Sequence, residues 1–425
     1  MKIITLLLFL SLSIFIYGKE TSKNAFKPQT KEVNQQLLDN AKEEVPAVIN
    51  TLQNIVTMES FSDDNEGLLK LGNYLKKQLE ELGGKVTLET PLNEGKGKNV
   101  LAKFKGNGSK KILMMAHMDT VYPKGTLKNA PWKVEGDKIY GPGVGDAKSG
   151  VAVILHTLNL LKKMDFKNYD TITVIFNTDE EIGSAGSKDL IAAEAAKSDM
   201  VLSYEPTSAG QEILVMGTSG TGKIKVEIKG LSAHAGADPD SGINTIIEGA
   251  DLVSRTKDLD EGKDKLRFNW TAFESGSEKT LNVIPENAVL YADIRYPNEE
   301  KLNEVLKKLE EKSNQKKLSG SKISIEFSPK RPPFSTNEKG KVLVQNAVNI
   351  YHSLGKNLGL LPNTGGGTDA GHAMASGKPI LEGLGLAGAN AHTPGKEWIS
   401  IESIPRRLYL SAQTIIDVCE NKILD

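Results

Sequence analysis

The 425-residue chain carries 53 basic against 54 acidic residues, with 6 histidines and a single cysteine, Cys419. A near-neutral balance without a long single-sign block argues against nucleic-acid binding. One cysteine leaves no internal disulfide, so the fold rests on its core or on metal, and the length predicts more than one domain.

At the N-terminus, Lys2 precedes an apolar stretch from Ile3 to Tyr17, shorter than the roughly 20 residues a spanning helix needs. This predicts a signal peptide over residues 1–18, an exported protein (periplasmic or secreted) and no stable membrane span. Retention of the leader as an anchor is the alternative, because the residues around Tyr17 only half match a cleavage site. After a polar stretch to Gln35, helical spacing runs through Leu37 to Met58 and again from Leu68 to Leu82, where Gly83-Gly84 stops it.

The short apolar runs "KNVLAKFKG" and "KILMMAHMD" read as strands, "VAVILHTLNLLKK" as a helix, and Thr171 to Thr178 as the next strand. Such alternation predicts an α/β sheet with helices on both faces. From Gly222 the texture changes, with Ile224, Val226 and Ile228 on one face of a half-solvated strand. A helix over Asn244 to Thr256 follows, then strands "RFNWTAFES" and "AVLYADIRY", a helix bearing Leu302, Val305, Leu306 and Leu309, and strand "KISIEF". That order is β-α-β-β-α-β, the ferredoxin-like α+β arrangement. "SPKRPPF" reads as a proline-rich exit, after which α/β texture returns to a final helix around Leu408 to Val418. The predicted organisation is one α/β domain, residues 36–216 and 331–425, interrupted by a smaller domain over 217–330.

Chemistry concentrates where strands end. His117 and Asp119 stand two apart in "MMAHMDTV", on one face of a strand, so the carboxylate can fix the imidazole tautomer. Asp146 tips the glycine-rich "GPGVGDAKSG", which lacks the dinucleotide spacing and puts an acid where a phosphate would sit, so a cation fits it better. "GTSGTGKI" at Gly217 to Ile224 matches a P-loop until Ile224 replaces the required Ser or Thr, and a strand follows it. Glu180 and Glu181 in "FNTDEEIGSAG" lie just past a buried strand, where open α/β sheets place ligands. Glu205 in "SYEPT" and His392 in "GANAHTPGKEW" again follow strands. Alone, each reads as a surface histidine or a solvated acid; together, His117, Asp146, Glu181, Glu205 and His392 describe a metal site on one sheet edge, since clustered carboxylates need a compensating cation.

The motifs "HMDTV", "GVGDAKSG", "TDEEIGSAG", "SYEPT", "GLSAHAG", "GGGTDAGH" and "HTPGKEW" occur in order from about Leu37 to the C-terminus. In them the chain resembles the co-catalytic di-zinc metallopeptidase and deacylase family, nearest to its bacterial glutamate carboxypeptidases. The resemblance implies a zinc-peptidase-like α/β catalytic domain with an inserted ferredoxin-like dimerisation (lid) domain, and two Zn²⁺ per subunit, with Co²⁺ or Mn²⁺ as substitutes. It implies that Asp146 bridges the ions, His117 and Glu205 complete one site, and Glu181 and His392 the other. Asp119 would orient His117, and Glu180 would be the general base. Asp179 is expected to be solvated or to cap the next helix. His234 would reach the partner subunit's site in a homodimer, and Arg295 and Asn282 would grip the substrate's terminal carboxylate. His156 is expected as a plain helix residue, His352 at the surface, and His372 is unassigned.

The expected activity is removal of a C-terminal amino acid, glutamate above others, from peptides, folate-like compounds or N-acyl amino acids. Where relatives that cut glutamate from folates have a lysine, this chain has Ile213, so either Arg331 makes that contact or the substrate is not acidic. The alternatives are an N-acyl-amino-acid deacylase of the acetylornithine or succinyl-diaminopimelate type, and a non-catalytic binding module that keeps the fold. An export leader argues against the first, and a complete set of ligands and base against the second.

Overall fold

The computed structural model describes residues 26–424 apart from 94, 263 and 264, so the leader read at residues 1–18 lies outside the described residues. No helix among them is long and apolar enough to cross a membrane.

The larger body is built on an eight-stranded sheet in the order Lys85–Glu89, Asn99–Lys105, Thr171–Asn177, Lys111–His117, Met200–Ser203, Ile380–Glu382, Ile213–Val215, Gly359–Leu361. Its four central strands run parallel. Side chains alternate across them, as the two-residue period of a strand requires. Ile112, Met114 and Ala116 enter a large core under the helices Val45–Val56, Lys148–Lys163 and Ser403–Cys419. Leu113 and Met115 face a smaller core against Lys188–Ala196 and Ala370–Met374. Burial on both faces explains why these strands read as unbroken apolar runs. The single helix expected from Leu37 to Met58 is two, Gln35–Glu43 and Val45–Val56, because Pro46 opens the second.

The smaller body has a four-stranded antiparallel sheet ordered Arg267–Ser275, Asn287–Tyr296, Gly220–Lys229, Lys322–Arg331, with helices Thr245–Thr256 and Glu299–Asn314 sharing its core. The expected β-α-β-β-α-β order is present. "SPKR" does not leave the sheet as a proline-rich exit: the strand runs on to Arg331, with Pro329 opposite Gly222 at an irregularity in the ladder. An edge strand tolerates the missing N–H. Where the two bodies join, Gly217–Thr218 pairs with Phe334–Ser335, so Arg331 is delivered towards the main sheet just before the chain returns.

Candidate active site

Three neighbouring parallel strands end on one edge. Thr171–Asn177 leads to Glu180 and Glu181, Lys111–His117 ends on His117, and Met200–Ser203 leads to Glu205. The five expected ligands do not share the one sheet edge predicted: a second, five-stranded sheet supplies the rest. Its strand Trp398–Ser400 pairs with Lys138–Tyr140 and with Ala387–Ala389, so the glycine-rich loop carrying Asp146 and the turn carrying His392 leave one small sheet side by side.

Asp146 sits at the centre. Its Oδ1 lies 2.9 Å from His117 Nε2 and its Oδ2 3.1 Å from His392 Nε2, one oxygen towards each imidazole. Beyond His392, Glu181 Oε2 lies 3.2 Å from the same nitrogen, and Glu205 Oε2 is 3.7 Å from His117 Nε2. Ligand atoms of His117, Asp146 and Glu181 all fall within 4.8 Å of one another. The far nitrogen of His117, Nδ1, stands 3.3 Å from Asp119 Oδ1 and 3.1 Å from the Asp119 carbonyl. Asp119 is itself fixed, accepting from Ser62 Oγ at 2.7 Å and from the backbone N–H of Glu180 and Glu181 at 3.1 and 3.2 Å.

Burial opposes a charge on His117, but Glu205, Asp119 and Asp146 outweigh it and hold its pKa well above the ordinary range. Hydrogen bonds to Asp146 and Glu181 push His392 up to about 10. The imidazoles thus meet a local surplus of negative charge, which a bound cation would neutralise without protons. Glu181 Oε1 is buried and has no hydrogen-bond partner. Two imidazoles and three carboxylates, one of them with this orphaned oxygen, form a donor set that fits borderline divalent ions such as zinc.

Side chains of the "DEE" triplet diverge. Glu180 is buried, with Oε1 3.0 Å from Arg331 Nη2; desolvation raises its pKa well above the ordinary range against the pull of His117 and Arg331. Glu181 turns to His392. Asp179, expected to be solvated or to cap a helix, is buried instead and ties the turn together, accepting from Gly186 N at 2.6 Å and from the Ser187 hydroxyl. The turn's own donors make that burial tolerable.

Glu397 was missed by motif reading. This buried carboxylate accepts from the backbone N–H of Gly143 at 3.1 Å, Gly145 at 2.8 Å and Asp146 at 3.0 Å, and from Tyr122 O–H at 2.5 Å. Its signal was there: a glycine loop full of N–H groups needs an acceptor, and the acid in "HTPGKEW" follows His392 by five residues.

Other expected residues lie elsewhere. His234 is exposed on a loop of the smaller body, where its Nδ1 accepts from Gly236 N and Ala237 N at 3.2 and 3.0 Å, leaving Nε2 as the N–H. Asn282 adjoins it, its carbonyl accepting from Ala235 N. Arg295 is held by Asp293 at 2.8 Å and reaches Gly365 O at 3.5 Å. Among the described residues no hydrogen bond or ion pair joins these three to the cluster. Ile213 lies in a strand of the main sheet with its backbone clasped by Thr207 Oγ1 and its side chain over Gly359. His156 is more than a plain helix residue: buried, it joins Glu44 at 2.7 Å and Thr51 at 2.9 Å. His352 is exposed, as expected.

The profile of peptidase family M20/M25/M40 matches residues 113–417. Carboxypeptidase G2 of Pseudomonas sp. (strain RS-16) is 48% identical over 386 residues, 91% of this chain and 92% of that one. Among solved structures, the aminopeptidase PepT of Bacillus cereus superposes with a TM-score of 0.76 at 22% identity, covering 88% of this chain and 98% of that one. The YXEP protein of Bacillus subtilis, described as a dinuclear metal-binding peptidase of the M20 family, gives 0.67 at 17% identity over 89% and 99%.

Proposed function

This chain belongs to peptidase family M20/M25/M40 and is a metallo-carboxypeptidase, hydrolysing the amide bond to a C-terminal amino acid; from that premise we propose that it holds two zinc ions and prefers glutamate. The carrying observation is Asp146, whose two oxygens each meet a different imidazole, as a carboxylate shared between two ions would. His117 and Glu205 would hold one ion with it, His392 and Glu181 the other. Bound there, divalent ions would supply Lewis acidity towards the scissile carbonyl and a lower pKa for water.

The chain's own groups supply the rest. Asp119 orients His117. Glu180 takes a proton from the attacking water and passes it to the leaving amine nitrogen when the tetrahedral intermediate collapses. His234, with Nε2 as the N–H, donates to the oxyanion of a partner subunit's site. That role needs a homodimer, and the lid offers an apolar face for one: Leu281 is 84% exposed, Ile247 49%, Val283 43% and Phe273 41%. Arg295 and Asn282 take the substrate's terminal carboxylate. Arg331, already beside Glu180, takes the glutamate side chain in place of the lysine that Ile213 replaces. Export by the leader over residues 1–18 belongs to the same reading, with peptides or N-acyl glutamates outside the cytoplasm as substrates.

Similarity at 48% to a carboxypeptidase favours this reading over an N-acyl-amino-acid deacylase. It is tested by assaying acyl-dipeptides that differ only in their C-terminal residue, before and after chelation. Glutamate should lead leucine in kcat/KM by about tenfold or more, a difference of about 1.4 kcal/mol, and zinc should restore chelated enzyme. Equal rates for both residues would remove the glutamate assignment.

A further inference from the structure

Behind Arg331, away from the metal cluster, lies a cavity of about 520 Å³ between the two bodies. Helix Lys188–Ala196 and helix Ala370–Met374 line one side, and Tyr296, Phe327 and Arg331 the other. It holds buried polar atoms that nothing satisfies. His372, only 7% exposed, has no partner for Nε2. Arg331 Nε is buried without a partner, and Nη2, although 3.0 Å from Glu180 Oε1, lacks hydrogen-bond alignment to it. Lys188 and Lys330 stand at the rim without an ion pair among the described residues. Asp189 and Glu299 also line the space, so its formal charges are three cations against two acids.

An unsatisfied buried donor is destabilising, which an acceptor-rich ligand would relieve, and a guanidinium matches a planar or tetrahedral oxyanion. We propose that this cavity binds a small oxyanion, a carboxylate or phosphate, on Arg331, His372 and Lys188, and that the bound anion competes with Glu180 for the Arg331 guanidinium. The site shares Arg331 with the substrate contact proposed above and rests on that reading for this residue, and the competition rests on Glu180 being the base.

Calorimetric titration of the metal-loaded full-length protein with inorganic phosphate, and separately with free glutamate, tests it in wild type, Lys188→Glu and His372→Leu. Lys188 is exposed, so its reversal leaves the core intact. At least one anion should bind wild type, about tenfold more weakly in both variants. Weakening confined to glutamate identifies the hydrolysis product as ligand, and weakening confined to phosphate an inorganic anion. Affinities for both anions unchanged in both variants, or no binding to wild type, would overturn the site while leaving the hydrolase reading untouched.

Discussion

Three consecutive acids at Asp179, Glu180 and Glu181 coexist because each meets a different environment: turn donors, a guanidinium and an imidazole. Adjacent residues on a tight turn point apart, so neighbouring side chains can take the proposed roles of ligand and base without competing. Exchanging the Glu180 carboxylate for an amide removes the proton acceptor but keeps its shape. Glu180→Gln should lower kcat by roughly a thousandfold, within the range general bases contribute, with metal content unchanged by elemental analysis. Loss of metal instead would make Glu180 a ligand. Glu397 and Asp119 act at one remove, the first holding the Asp146 loop and the second the His117 ring.

Elements meet the site with little slack. Gly150 opens the helix Lys148–Lys163 beneath the strand end that carries Tyr204 and Glu205, and a Cβ there would fall 2.0 Å from Tyr204 O. Backbone cannot yield as a flexible side chain can, so Gly150→Ala should cost about 3 kcal/mol or more, read by chemical denaturation. The same helix is clasped to the N-terminal helices through Glu44, which accepts from Asn159 at 2.6 Å and pairs with His156 and Lys163. Although burial alone would raise its pKa, these partners hold Glu44 down from an ordinary 4.5 to about 2. A depressed carboxyl stabilises the fold above its unfolded pKa and loses that contribution as pH falls through the folded value. Glu44→Gln should therefore lower stability at pH 7 by on the order of 2 kcal/mol, a figure reduced from the full shift because Lys163 is half-exposed. Melting curves should converge between about pH 4.5 and 2, and a constant gap would assign the loss to packing.

At the scale of the molecule, the smaller body delivers Arg331 into the site of its own chain and presents His234 at its surface. The exposure of His234 accords with the proposal above that a second copy completes the centre. His234→Ala and Glu180→Gln, each nearly inactive alone, should recover up to about a quarter of wild-type activity when mixed, since about half the dimers are mixed and each mixed dimer holds one intact site of two. Absence of recovery, with mixed dimers verified by mass, would argue against a shared site.

Much of this was legible in the sequence because it is local. A strand's two-residue period and a helix's 3.6-residue period fix burial, and loops at strand ends fix where ligands emerge, so His117, Asp146, Glu181, Glu205 and His392 could be grouped before any coordinates. The β-α-β-β-α-β order of the inserted body was legible for the same reason. Other features depend on contacts between segments far apart in the chain. That Glu397 caps the Asp146 loop across 251 residues, that Arg331 faces Glu180, and that Glu44 finds His156 rather than water, carry no period or motif. Desolvation and hydrogen bonding at those contacts depend on what arrives from elsewhere, and only the folded chain decides it.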